Sequence, residues 1–136
     1  MNILSAILAL AAMTALPLAA RAASEAVYEG HYVWGAEVET FAPCGTGGKA
    51  WWVIADEPDW VKLRDTHQGL TTEPYEEIYV RVIGDYAGEA TEERSGAFSL
   101  QYDGLFRVDQ LLLARKRSAA DCTGVANPPD SDIETP

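Results

Sequence analysis

The chain has 136 residues, and its 21 acidic and 10 basic side chains give a formal charge of −11. This length allows one domain and excludes most two-domain enzymes. Because 48% of the residues are hydrophobic and 10% are aromatic, the chain can build a packed core, and disorder throughout is excluded.

Residues 1–22 predict a secretory signal peptide. The stretch from Ile3 to Ala20 carries no charge, and Ala20 and Ala22 supply the small residues that precede a cleavage site. No Lys or Arg precedes this stretch and its length is close to the ~18–20 residues of a membrane span, so an uncleaved anchor remains an alternative. No cysteine precedes Cys44, so we expect no lipidated cysteine at the new N-terminus. We expect a periplasmic or secreted protein without stable membrane insertion after cleavage.

The negative charge of the exported part limits the classes of partner that it can bind. Without Arg21, nine basic and 21 acidic residues remain, a formal charge of −12. Such a surface repels the phosphates of nucleic acids and the headgroups of anionic membranes. Basic partners and cationic ligands are compatible with it. We therefore expect no nucleic-acid partner.

The first half of the exported part predicts two strands. Large and polar side chains alternate over 27–34, Gly35 indicates a bend, and the same strand continues to Phe41. A glycine-rich turn over 44–48 leads to a second strand over 49–55, so the two strands form a hairpin.

The second half predicts one helix and three further strands. Pro58 and the apolar spacing over 56–68 favour a short helix. Strands follow over 76–83, 98–102 and 106–112, with an exposed loop between the first two and an Asp-Gly hairpin turn between the last two. The acidic, proline-rich segment 123–136 predicts a disordered tail, which leaves 23–122 as the domain.

Cys44 and Cys122 are the only cysteines. An even pair in an exported chain favours a disulfide over two free thiols. In the chain-entropy model, a disulfide that closes a loop of this length raises the free energy of the unfolded chain by roughly 4 kcal/mol. The absence of a CxxC sequence excludes a thioredoxin-like redox motif.

Five strands with one helical connection favour an all-β fold, a small five-stranded closed barrel whose closure hides the strand edges. The sequences FAPCGTGGKAWWV (41–53) and PYEEIYVRV (74–82) and a closing strand that ends at Cys122 resemble the C-terminal OB-fold domain of NlpE-type envelope lipoproteins. The resemblance implies an OB-type barrel that is cross-linked by a disulfide between Cys44 and Cys122. Those lipoproteins also carry a lipidated cysteine and an N-terminal CxxC domain, which we expect this chain to lack, and envelope-stress signalling and copper homeostasis depend on those parts.

Catalysis receives little support from the sequence. No nucleophile elbow, zinc-protease motif, phosphate-binding loop or dinucleotide fingerprint is present. Glu76 and Glu77 are adjacent, so a strand would point them to opposite faces, away from paired acid and base roles. We expect a protein that is not an enzyme and holds no cofactor.

Two non-catalytic functions remain. The first is a binding or interaction module of the cell envelope whose partner is a protein, peptide or glycan. Alternation points Trp51 and Trp52 in opposite directions, so one is exposed. The expected partner-binding residues are Trp52, Trp34, Glu37 and Glu39, and the face formed by Glu37, Glu39, Glu76 and Glu77 would select a neutral or basic partner.

The alternative is a small metal-binding protein for copper or zinc. Glu29 and His31 share one face of a strand, and His67 is a third candidate ligand. Two ligands on one strand do not make a closed site, so the interaction module is the favoured prediction.

Overall fold

The computed structural model describes residues 26–124. The predicted signal peptide and all but the first two residues of the predicted tail lie outside the described residues. Within residues 26–124, no helix has the length and apolar character needed to cross a membrane.

Five strands close into a barrel in the order β1-β2-β3-β5-β4. The strands are β1 (Val27–Gly35), β2 (Val38–Pro43), β3 (Trp51–Ile54), β4 (Glu77–Tyr86) and β5 (Leu105–Lys116). The β3–β5 pair is parallel and the other pairs are antiparallel. The predicted five-stranded OB-like barrel is confirmed.

Helix α1 (Glu57–Leu70) connects β3 to β4 and packs on the barrel, as the predicted helical connection requires. Pro58 lies in its first turn, where a missing backbone N–H costs no helical hydrogen bond. The helix buries Leu63 and His67, and the His67 ring contacts Tyr32 edge-on. These two buried side chains join the helix to the barrel.

The barrel core follows from the alternation of each strand. Tyr28 and Tyr32 of β1 point inward, as do Val80 and Val82 of β4 and Phe106 of β5. Burial of these large side chains supplies most of the stabilisation of a domain this small. Residues between them in the sequence therefore lie on the outside of the barrel.

The expected bend after β1 is instead a reversal of the chain. Gly35 and Val38 are opposite one another, and β1 and β2 pair antiparallel back to Gly30 and Pro43. Glu37 in the turn has φ 63°, the left-handed conformation usually supplied by Gly or Asn. The prediction of one continuous strand was wrong because the residue that adopts the turn conformation is a glutamate, a residue type that does not indicate a turn in the sequence.

The predicted strand over 98–102 is also wrong. Residues Ala97–Gln101 form a 3-10 helix that follows the short helix α2 (Glu92–Ser95). Gly96 between them has φ 81°, and its carbonyl accepts a hydrogen bond from the Ser99 hydroxyl at 2.6 Å. The Asp-Gly sequence therefore leads from this helix into β5. The strand count is right because the reversal added one strand where the helix removed another.

The predicted disulfide joins Cys44 and Cys122. It connects the segment after β2 to the segment after β5, across 78 residues of sequence. The Cys44 amide also donates to the Glu29 carbonyl at 2.7 Å, so the disulfide attaches to the side of β1.

Candidate interaction face on strands β3 and β5

The parallel β3–β5 pair presents one side to the core and the other to the outside. Val53 and Phe106 are paired and fully buried in the core. Their neighbours along the two strands therefore point outward. We call this outer surface the β3–β5 face; it consists of Trp52, Ile54, Leu105, Arg107 and Asp109.

Apolar and aromatic side chains are carried at one end of the β3–β5 face by Trp52 and by the segment 98–102, which leads into β5. The Trp52 ring lies 5.7 Å from the Tyr102 ring. The 3-10 helix just before Tyr102 leaves Phe98 49% and Leu100 52% exposed. We call these four residues the apolar patch. Leu105 is fully buried although it points outward, so the chain folds over the face at this point.

The loop that carries the patch is held at its base by the backbone. The Ala87 amide donates to the Leu105 carbonyl at 2.7 Å, and the Leu105 amide donates to the Gly88 carbonyl at 2.8 Å. The Arg94 guanidinium donates to the carbonyls of Ala87 and Glu89 at 2.9 and 3.0 Å. These bonds fix the path of an otherwise exposed segment and so present the patch on a rigid support.

A charged cleft of about 270 Å³ lies at the other end of the face. It opens between the start of α1 and the Arg94 side chain, and its lining residues are Ile54, Ala55, Asp56, Trp60, Arg94, Arg107 and Asp109. Burial raises the pKa of Asp109, and the negative charge of Asp85 raises it further while Arg107 opposes both effects. The cleft thus combines an indole wall with carboxylates and guanidinium groups.

The two adjacent tryptophans point in opposite directions, as alternation requires. The Trp51 ring stacks on Phe106 at 6.2 Å and lies 5.8 Å from Tyr86. It packs against the core, whereas Trp52 belongs to the apolar patch. Trp52 is therefore the member of the pair that is available on the outer face.

The other expected binding residues lie elsewhere. Trp34 packs against the ring of His67 and the guanidinium of Arg64, each at 5.9 Å. Glu37 is exposed in the β1–β2 turn. These positions separate Trp34 and Glu37 from the contacts that build the apolar patch.

Glu39 is not available to a partner, and its expected exposure is corrected. It is 3% exposed. Its carboxylate accepts hydrogen bonds from the Tyr32 hydroxyl at 2.7 Å and from Arg64 Nη2 at 2.6 Å. Burial and the charge of Glu39 raise the pKa of Tyr32, so the hydroxyl remains a donor. A buried carboxylate needs such partners, and the alternating pattern of β2 gave no sign of them.

Glu39 is buried and so does not contribute to the expected acidic face, and Glu76 and Glu77 each have partners within the domain. Glu76 accepts from the Thr72 hydroxyl, and this bond and the amides of Glu73 and Thr72 hold the pKa of Glu76 below its usual value. Glu77 pairs with Arg117 at 3.1 Å. Both glutamates are exposed.

The three candidate metal ligands do not come together. Glu29 faces Arg81 at 3.7 Å, and His31 Nε2 lies 3.0 Å from the Asp121 carboxylate. His67 is buried against Tyr32, on the opposite side of β1, and its Nε2 bonds to the Glu76 carbonyl at 2.7 Å. Among residues 26–124, no three His, Cys, Asp or Glu side chains are grouped so as to hold a metal ion.

Asp121 instead anchors the chain beside the disulfide. Its side chain is 1% exposed and contacts Arg115 at 2.6 Å, His31 at 3.0 Å and the Ser118 amide at 2.8 Å. Burial raises the pKa of Asp121, but the bonds from Ser118, His31 and Arg115 outweigh burial and hold the pKa below its usual value.

We expect Asp121→Asn to lower the free energy of unfolding by about 1 kcal/mol at pH 7, since Arg115 is half exposed and water weakens the pair. A carboxyl whose pKa is depressed on folding stabilises the fold above its unfolded pKa of about 3.9 and loses that contribution below it. The difference from wild type in urea unfolding should therefore shrink as the pH falls from 7 to 3. Asp65→Asn, at an exposed position, should change stability little at pH 7. A difference that grows on acidification would contradict this role.

Comparison with known proteins agrees with the fold. The family model described as the NlpE C-terminal OB domain matches residues 22–109. This match includes β1 to β4 and the start of β5, and it ends before Cys122. No curated protein matches the chain, and no solved structure does. On its match over more than half of the sequence, the chain belongs to the NlpE C-terminal OB domain family.

Proposed function

We propose that this protein is an exported, non-catalytic interaction module that binds a protein, peptide or glycan partner of the cell envelope through the β3–β5 face. The family domain and the Cys44–Cys122 disulfide support export. The formal charge of −11 disfavours nucleic acid.

The apolar patch is the observation that carries the proposal. Phe98 and Leu100 are half exposed on a loop whose base is fixed by backbone hydrogen bonds. Tyr102 directly follows their 3-10 helix, and its ring lies 5.7 Å from the Trp52 ring. Aromatic side chains on a rigid support are typical anchors of protein interfaces, because they bury a large area at low entropic cost.

The non-catalytic part of the proposal rests on the sequence, in which no nucleophile elbow, zinc-protease motif, phosphate-binding loop or dinucleotide fingerprint is present.

Affinity capture from envelope extract tests the proposal with two matched double variants. Phe98→Ser with Leu100→Ser should reduce saturable capture at least tenfold, and Trp52→Ala should also weaken it. Leu112→Ser with Leu113→Ser removes apolar residues of similar exposure, 43% and 44%, from the second half of β5, and capture should be unchanged.

A chelator arm separates the metal-binding alternative. Capture should be indifferent to chelator, and calorimetric titration with copper or zinc should give no sub-micromolar site. Sub-micromolar metal binding that His31→Ala abolishes, together with no captured partner, would overturn the proposal. Equal loss of capture in both double variants would show that the apolar patch has no special role.

A further inference from the structure

The segment that carries most of the apolar patch also carries a strong negative charge. Residues 85–104, between β4 and β5, contain five acidic side chains and one basic side chain. The five acidic residues are all exposed, and they are Asp85, Glu89, Glu92, Glu93 and Asp103. The basic residue, Arg94, donates to two backbone carbonyls of its own loop. Its charge therefore offsets one of five.

The carboxylates of this segment differ from those at the other end of the barrel. At the far end of β5 and just after it, Arg115 pairs with Asp121 and Arg117 pairs with Glu77. Within residues 26–124, no ion pair includes a carboxylate of 85–104. The negative charge around the apolar patch is thus not neutralised by pairing within the domain, so it attracts cations and repels anions over a Debye length of about 8–10 Å.

These carboxylates lie close to the apolar patch on both sides of it along the chain. Helix α2, which contains two of the glutamates, packs against the 3-10 helix of the patch. A hydrogen bond of 2.7 Å between the hydroxyls of Ser95 and Ser99 joins the two helices. On the other side, Asp103 directly follows the patch residue Tyr102. A ligand seated on the patch therefore lies in the negative field of both groups of carboxylates.

We propose that the segment bound by the apolar patch is a polypeptide that combines apolar and basic side chains. Its apolar side chains cover Phe98 and Leu100, and its lysine or arginine residues face the surrounding carboxylates. The stems of those basic residues are themselves apolar and pack on aromatic rings such as those of Trp52 and Tyr102. An anionic glycan is repelled, and the hydrocarbon surface of Leu100 offers a neutral glycan no hydrogen bond.

The inference rests on the proposed function and deepens it, because it selects a cationic polypeptide among the protein, peptide and glycan partners. Titration of the 15N-labelled protein with matched peptides tests it. A peptide in which lysine alternates with leucine and phenylalanine should shift the Trp52 indole N–H resonance saturably. The same peptide with glutamine in place of each lysine should bind at least tenfold more weakly. Serine in place of each leucine and phenylalanine should also weaken binding at least tenfold.

Two double variants with the same change of charge locate the site. Glu92→Gln with Glu93→Gln should weaken binding of the lysine peptide at least fivefold, because two exposed carboxylates beside the patch are lost. Asp65→Asn with Glu73→Gln also removes two exposed carboxylates, one from α1 and one from the loop that follows it. This control should change the affinity less than twofold, since the charges lie outside the segment 85–104.

The outcomes separate this inference from the proposed function. Equal binding of the lysine and glutamine peptides, or equal weakening by the two double variants, would overturn the cationic assignment even if capture depends on Phe98 and Leu100. Tighter binding of an N-acetylglucosamine oligomer at Trp52 would also overturn it. Lysine-peptide binding that Phe98→Ser with Leu100→Ser leaves unchanged, with no partner captured from extract, would instead overturn the proposed function and leave only an attraction between charges.

Discussion

Replacing Arg64 by alanine should lower the free energy of unfolding by about 3 kcal/mol. Arg64 donates to the buried Glu39 carboxylate at 2.6 Å, and its guanidinium also lies 5.0 Å from the Trp60 ring. Without it, the Tyr32 hydroxyl is the one remaining hydrogen-bond partner of Glu39 among residues 26–124, and an unpaired buried charge is costly. Breaking a buried ion pair typically costs about 3–5 kcal/mol. The expected loss lies at the low end of this range because Arg64 is 40% exposed, so water can replace part of the pair.

Urea unfolding of wild type, the two single variants Arg64→Ala and Glu39→Gln, their double variant and the control Arg81→Ala isolates this effect. Arg64→Ala in a Glu39→Gln background should cost clearly less than in wild type, because glutamine leaves no charge unpaired. Arg81→Ala breaks the exposed pair with Glu29 at 3.7 Å and should cost less than about 1 kcal/mol. Equal losses for the Arg64 and Arg81 substitutions would contradict a special role for the buried pair.

Removal of the disulfide should have an effect of similar size. Replacing Cys44 and Cys122 by serine releases the constraint on 78 residues of unfolded chain. We expect a loss of about 3 kcal/mol, less than the roughly 4 kcal/mol of the chain-entropy model, because residual structure in the unfolded chain reduces the effect. Asp121 and its three partners still hold the segment after β5 in the folded state. The barrel should therefore remain folded, and the loss should arise in the unfolded state.

The comparison for this prediction is the wild-type protein after reduction. Reduced wild type and the double serine variant should share one urea midpoint, below that of the oxidised protein, and both should retain the circular dichroism spectrum of a β-protein. A change of less than 1 kcal/mol would show that the unfolded chain is already compact between the two cysteines.

The sequence was informative where one physical signal dominated. Alternation located β4 and the core-facing Tyr28 and Tyr32, and Pro58 located the start of α1. The errors lie where a single residue adopts an unusual conformation. Glu37 reverses the chain in the left-handed region, and Gly96 starts a helix from a sequence whose apolar spacing also suits a strand.

The candidate site was less accessible to sequence reasoning. Trp52 was identified because alternation separates it from Trp51, but Phe98, Leu100 and Tyr102 were assigned to a strand. Arg107 and Asp109 join the face only through the parallel pairing of β3 with β5, which brings distant segments together. From the sequence alone Glu39 is expected at the surface, and only the structure shows that Tyr32 and Arg64 donate to its carboxylate.

Hydrogen–deuterium exchange on the captured complex tests the interaction face most directly. Amide exchange of the exported protein should slow on partner binding at 51–54 and 94–109, which carry the apolar patch and the charged cleft. Residues 27–35 form β1, which pairs with β4 away from the β3–β5 face, and they should exchange as in the free protein. Protection confined to β1 and β4, with 94–109 unchanged, would contradict the account.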